Sequence, residues 1–103
     1  MREVFLRPRA QLDLESIYIH IAITLGSPKA ARKTIDNLYA AIERAADMPT
    51  LGMLFANDAL DRDYRRILVK NYWIYYTFDD AQFTVWRIFH TRQDIEAQTL
   101  VDL

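Results

Sequence analysis

Residues 64–94 read YRRILVKNYWIYYTFDDAQFTVWRIFHTRQD. Tyr64 to Lys70, Tyr72 to Phe78 and Phe83 to His90 are three runs rich in β-branched and aromatic residues, the last two separated by Asp79, Asp80, Ala81 and Gln82. That composition suits pleated, half-buried strands, and four small or polar residues between two such runs make a hairpin turn. Along the middle run a two-residue period puts Tyr72, Ile74, Tyr76 and Phe78 on one side and Trp73, Tyr75 and Thr77 on the other. Both sides are bulky. The spacing predicts one aromatic side under a cover and the other on the open side, with most of the rings serving as packing; the functional alternative is that exposed rings anchor a partner by burying area at low entropic cost.

The cover is found upstream. Arg2 to Leu6 is a short apolar-rich run, followed by Pro8, whose fixed φ and missing N–H suit the first position of a helix. Ala10, Leu14, Ile17 and Ile21 then recur at spacings of four, three and four, an amphipathic helix that runs to Gly26. Ser27 offers an N-cap and Pro28 a second first-turn proline. Ala31, Ile35, Leu38, Ile42 and Ala45 repeat the stripe to about Met48, where Pro49 stops it. Two residues between the helices force an antiparallel hairpin. Thr50 to Asp63, with Gly52, Asn57, Asp58 and Asp61, has no sustained period and reads as a surface loop; Thr91 to Leu103 reads as a short helix or loose tail. The predicted fold is α+β, in the order βααβββ: an N-terminal strand and helical hairpin packed on a mostly antiparallel four-stranded sheet, within one domain of residues 1–103.

Composition sets bounds on function. The chain has 103 residues, 51% of them hydrophobic, and no apolar run near the roughly 20 residues of a membrane span. Its first residues interleave charge with apolar side chains, unlike a secretory signal, and a cytoplasmic, membrane-free setting is expected. The absence of cysteine excludes disulfides, thiolate catalysis and cysteine-bound metals. A net charge of -1 argues against a partner held mainly through phosphates.

The residues that carry chemistry lie in the three C-terminal runs. Arg87, His90 and Arg92 gather at the end of the last run, with Arg65 and Arg66 on another strand and Tyr75 on the outward side of the middle one. Arginine forks bind phosphates or carboxylates, and histidine exchanges a proton near neutral pH. Pairing of these arginines with Asp58, Asp61, Asp63 or Asp94 is the structural alternative. His20 and His90 sit on separate elements without metal-ligand spacing, and Gly26 and Gly52 are the only glycines, so neither a metal, a cofactor nor a glycine-rich phosphate loop is expected. Asp13 and Glu15, two apart on the first helix, fall on different faces.

DLESIYIHIA at 13–22, GSPKAARKTIDNLYAAIERAADMPTLG at 26–52, YRRILVKNYWIYYTF at 64–78 and VWRIFHTRQDI at 85–95 together resemble the RelE/ParE superfamily of bacterial type II toxins, over nearly the whole chain. One departure is Arg7 before Pro8, where many members carry a capping serine. The resemblance implies a compact toxin encoded with a cognate antitoxin that wraps over it as a hetero-oligomer. RelE-like members cleave messenger RNA on the ribosome, and ParE-like members poison DNA gyrase. In the cleaving branch basic residues hold the messenger and drive a ribose hydroxyl into the adjacent phosphate. Here Ile67 stands two residues after Arg65, Trp73 follows Tyr72 where cleaving members commonly place an arginine, and Thr99 and Leu100 stand near the expected late tyrosine. The resemblance therefore points to a non-hydrolytic gyrase inhibitor with Arg65, Arg66, Tyr75, Arg87, His90 and Arg92 as its contact residues. The alternatives are a ribosome-dependent messenger endoribonuclease, with His90 as acid or base and Arg65, Arg87 and Arg92 steadying the phosphate, and a degenerate member that only binds its partner.

Overall fold

A computed structural model describes residues 2–55 and 62–93. Asp58, Asp61, Asp94, Thr99, Leu100 and most of the predicted tail lie outside the described residues. In chain order the elements are β1 (Glu3–Leu6), α1 (Pro8–Ile19), a π turn (His20–Thr24), α2 (Pro28–Asp47), a 3-10 turn (Pro49–Leu51), β2 (Met53–Phe55), β3 (Tyr64–Val69), β4 (Tyr72–Phe78) and β5 (Gln82–His90).

The strand before it fixes where α1 begins. Arg7 gives its N-terminus no side-chain cap, but the Arg7 N–H donates to the Val85 carbonyl at 2.9 Å and the Gln11 amide donates to the Leu6 carbonyl at 3.1 Å. At the other end the α geometry stops earlier than the periodicity implied. From His20 the helix widens to a π turn, with the Leu25 N–H on the His20 carbonyl and the Ser27 N–H on the Ile21 carbonyl. Gly26, at φ +72°, reverses the chain in the left-handed region that glycine enters without steric cost. Ser27 Oγ then accepts the Ala30 N–H at 3.2 Å, the expected cap of α2.

The sheet order is β1-β5-β4-β3-β2. β1 runs parallel to β5, from Glu3 opposite Gln82 to Leu6 opposite Val85, and the other pairs are antiparallel. The sheet has five strands where four were predicted. The extra one, β2, holds three residues within a stretch read as a loop, too few to display an alternation, and it pairs with Tyr64 to Arg66. The turn after β4 is closed by Asp79, whose Oδ1 accepts the N–H groups of Ala81 and Gln82 at 2.8 and 2.7 Å.

The helices cover one side of the sheet. Ala10, Leu14, Leu38 and Ile42 meet Ile74, Tyr76, Phe83 and Val85 there, and the alanines Ala41, Ala45 and Ala46 let α2 approach closely. On the outer side Tyr64, Tyr75 and Phe89 form a second, smaller buried cluster flanked by Phe55, Trp73 and Trp86. A β-bulge separates the two layers in β5: Tyr75 faces Arg87 while Tyr76 faces Val85, leaving Trp86 as the extra residue. The knot under β2 is tight. The Tyr76 hydroxyl donates to the Pro49 carbonyl at 2.6 Å and accepts the Gly52 N–H at 3.0 Å, and a Cβ at residue 52 would collide with that hydroxyl.

Candidate functional site

The outer side of the sheet is built around a caged arginine. Alternation along β3 puts Tyr64, Arg66 and Leu68 outward, and Arg66 lies with its guanidinium carbon 4.1 Å from the ring centre of Trp73 and 5.3 Å from that of Phe55. Its Nη1 donates to the Tyr75 hydroxyl at 3.1 Å, and its buried Nε has no hydrogen-bond partner among the described residues. A desolvated cation over an aromatic face gains about 2 kcal/mol, which offsets much of the missing bond. Met53 and Leu68, opposite Arg66 and Trp73 in the ladder, are 58% and 56% exposed and make an apolar rim to the cage. Farther along the same side, Arg7 and Arg62 each place a guanidinium 4.9 Å from the Trp86 ring centre, and the indole N–H donates to Thr77 Oγ1 at 2.8 Å.

Arg87 is occupied from within the chain. Its Nε and Nη2 form a two-pronged pair with Asp13 of α1 at 2.8 and 3.0 Å, and Asp13 also accepts the Ile88 N–H at 2.9 Å. The backbone explains why. β1 ends opposite Val85, so among the described residues the edge of β5 beyond it has no strand neighbour, and the Asp13 carboxylate takes the N–H a ladder would have used. Sequence reading missed this pair although a signal existed: Asp13 stands inside the stripe of Ala10, Leu14 and Ile17, where a charge needs a partner.

Arg65 and His90 face the helix side. Arg65 donates to the Gly52 carbonyl at 2.8 Å beside Tyr76. His90 packs edge-on against Tyr72, with ring centres 5.4 Å apart, and its Nδ1 accepts the N–H of exposed Arg92 at 3.1 Å. They stand two strands and four residues apart, about 16 Å between backbones. The six residues expected as contacts therefore do not lie on one face. Alternation sends Arg66 and Tyr75 outward and Arg65 and His90 inward; Arg87, opposite Tyr75 with its guanidinium carbon 4.3 Å from the Phe89 ring centre, is drawn to Asp13 of α1, and Arg92 lies past the last strand. Tyr75 is wholly buried under Phe55 and Phe89, so it supports Arg66 instead of presenting a ring.

Tyr76, Tyr72 and Asp79 titrate away from their ordinary range. Burial raises Tyr76, with the Gly52 N–H and Arg65 opposing it more weakly, and burial likewise raises Tyr72. The Ala81 and Gln82 N–H groups hold Asp79 low. Among the described residues no three metal-binding side chains converge, and no helix is long and apolar enough to cross a membrane.

The chain matches the family model of the ParE toxin of type II toxin-antitoxin system, parDE, over residues 4–95. No curated protein matches it. Among solved structures it is similar to a chain of the chromosomal ParDE TA system from P. aeruginosa, at 16% identity and a TM-score of 0.71, covering 87% of this chain and 96% of that one. At that identity the likeness is one of fold.

Proposed function

The chain belongs to the ParE toxin family of type II toxin-antitoxin systems, and from that premise we propose that it binds and inhibits DNA gyrase in the cytoplasm without cutting a substrate, and that a cognate antitoxin silences it. The observation that carries this reading is the scattering and internal engagement of the cations. A ribonuclease site needs an acid or base and phosphate-holding charges around one scissile group. Arg87 is bound to Asp13, Arg65 reaches a backbone carbonyl, and His90 lies about 16 Å away from Arg65 along the sheet. What the outer side offers instead is a binding surface. Arginine and tryptophan at the centre of an apolar rim are the residue types that dominate protein interfaces, and Arg66, Trp73, Leu68 and Met53 have that arrangement.

The antitoxin has a separate surface to use. Leu12, Ile19 and Ile23, spaced seven and four residues apart, are 59%, 57% and 75% exposed along α1 and the π turn. They form one apolar stripe, the feature an amphipathic partner helix covers in a hetero-oligomer. The test sets two assays side by side: supercoiling by purified gyrase, and integrity of a messenger under translation on ribosomes. Inhibited supercoiling with intact messenger is expected. Cleaved messenger with undisturbed supercoiling refutes the proposal.

A further inference from the structure

A cleft of about 290 Å³ opens between the π turn, the middle of α2 and the turn joining β3 to β4, on the helix side and away from the caged arginine. Leu25, Leu38 and Val69 form its apolar wall, and His20, His90 and Lys70 bring nitrogen donors to its mouth beside Asn71 and Tyr72. No acidic side chain among the described residues lines it. Asp13 belongs to the adjoining cleft, past the shared wall of His20, Tyr72 and His90, and is already engaged by Arg87 and the Ile88 N–H. We propose that this cleft is a binding site for a small organic anion, a carboxylate or phosphate carried on an apolar body, held by Lys70 and the two imidazoles.

Three independent features support the site. Apolar walls with a few convergent polar groups are the ordinary make-up of a small-molecule pocket, and here the lining brings one ammonium and two imidazoles together with no described carboxylate to oppose an anion. The π turn that begins at His20 is a rare geometry, frequent at functional sites. Lys70 is the single described non-glycine residue at positive φ, 54°, at a turn position that glycine or asparagine would occupy with less strain. That same residue lines the cleft and carries its one permanent positive charge among the described lining residues. The inference concerns a site apart from the proposed gyrase surface and stands or falls independently of that target.

The test uses the purified 103-residue chain and four probes: hexanoate, phenyl phosphate, inorganic phosphate and the neutral hexanamide. Binding is followed by calorimetry and by the imidazole NMR signals of His20 and His90. Hexanoate or phenyl phosphate is expected to saturate with shifts at both histidines, the better of the two identifying the head group. Hexanamide is expected to bind about tenfold more weakly, since it loses the charge-assisted bonds. Inorganic phosphate, lacking the apolar body, is also expected to bind more weakly than phenyl phosphate. Lys70→Gly separates strain from recognition: it should raise the melting temperature while weakening the anion at least about fivefold, and His20→Gln should weaken it as well. Equal affinity for hexanoate and hexanamide, failure of every anion to saturate in the millimolar range, or full binding by a well-folded Lys70→Gly overturns the proposal.

Discussion

Replacing Tyr76 with phenylalanine removes one oxygen and strands two buried backbone groups. The Gly52 N–H and the Pro49 carbonyl both lie within the knot under β2, and both spend their bond on that hydroxyl. An unsatisfied buried polar group costs about 1–3 kcal/mol, so with some relaxation Tyr76→Phe should cost about 2–3 kcal/mol, or roughly 10–20 °C in a domain of this size. Gly52→Ala attacks the same knot from the other side. Its new methyl would collide with the hydroxyl and press on Tyr76 Cζ and the Arg66 carbonyl, 2.9 and 3.0 Å from its ideal position, an overpacking of about 1–3 kcal/mol. Most of that clash is with the atom Tyr76→Phe deletes. The double variant should therefore be more stable than the sum of the single losses by at least about 1 kcal/mol in a urea-melt cycle. Additivity within about 0.3 kcal/mol would refute the reasoning. The same hydroxyl gives an alkaline signature. Burial raises its folded pKa above the usual 10.0, so the unfolded phenol ionises first, and its contribution is complete below pH 10.0 and lost as pH rises through the raised value. Tyr76→Phe should remove part of that loss, and Tyr72, raised for the same reason, should retain the rest.

Other perturbations separate structural from functional roles. Asp13→Leu leaves Arg87 and the Ile88 N–H unpaired and should cost about 3 kcal/mol, whereas Arg87→Leu leaves Asp13 its backbone bond and should cost about 1 kcal/mol less; denaturant melts check the order. Asp79, held below 3.8 by two N–H donors, contributes above that value and loses its contribution as pH falls through its lowered pKa, so Asp79→Ala should flatten the acid limb of a pH–stability profile. Leu68→Asp, at a 56% exposed position, should abolish gyrase inhibition with little change in melting temperature. His90→Ala should leave growth inhibition intact, and its loss would restore the ribonuclease alternative.

The strands and helices were legible because their signals are local. The stripe of Ala31, Leu38, Ile42 and Ala45 and the alternation of Tyr72 to Phe78 each follow from a single period, and both elements lie where that period put them. β2 was hidden because three residues carry no period, and its pairing depends on Tyr64 to Arg66, which stand on the far side of the loop. For the site, residue types were readable but convergence was not. Alternation alone divides Arg65 from Arg66, though the two are neighbours in sequence and were both expected as contacts. The Asp13 partner of Arg87 depended on how far β1 runs along β5, a length set by three-dimensional closure.

That closure has a consequence for how the molecule assembles. β3, β4 and β5 form a meander of near neighbours that can zip quickly, whereas β1 must wait for β5, its partner at the far end of the described chain. The N-terminal strand is thus a late and shallow addition, four residues held along one edge with Val4 and Phe5 still partly in water. Short edge strands of this kind open at less cost than the strands between them. Each such excursion of β1 bares the β5 ladder to a foreign strand, which makes the parallel seam between β1 and β5 a place for strand exchange.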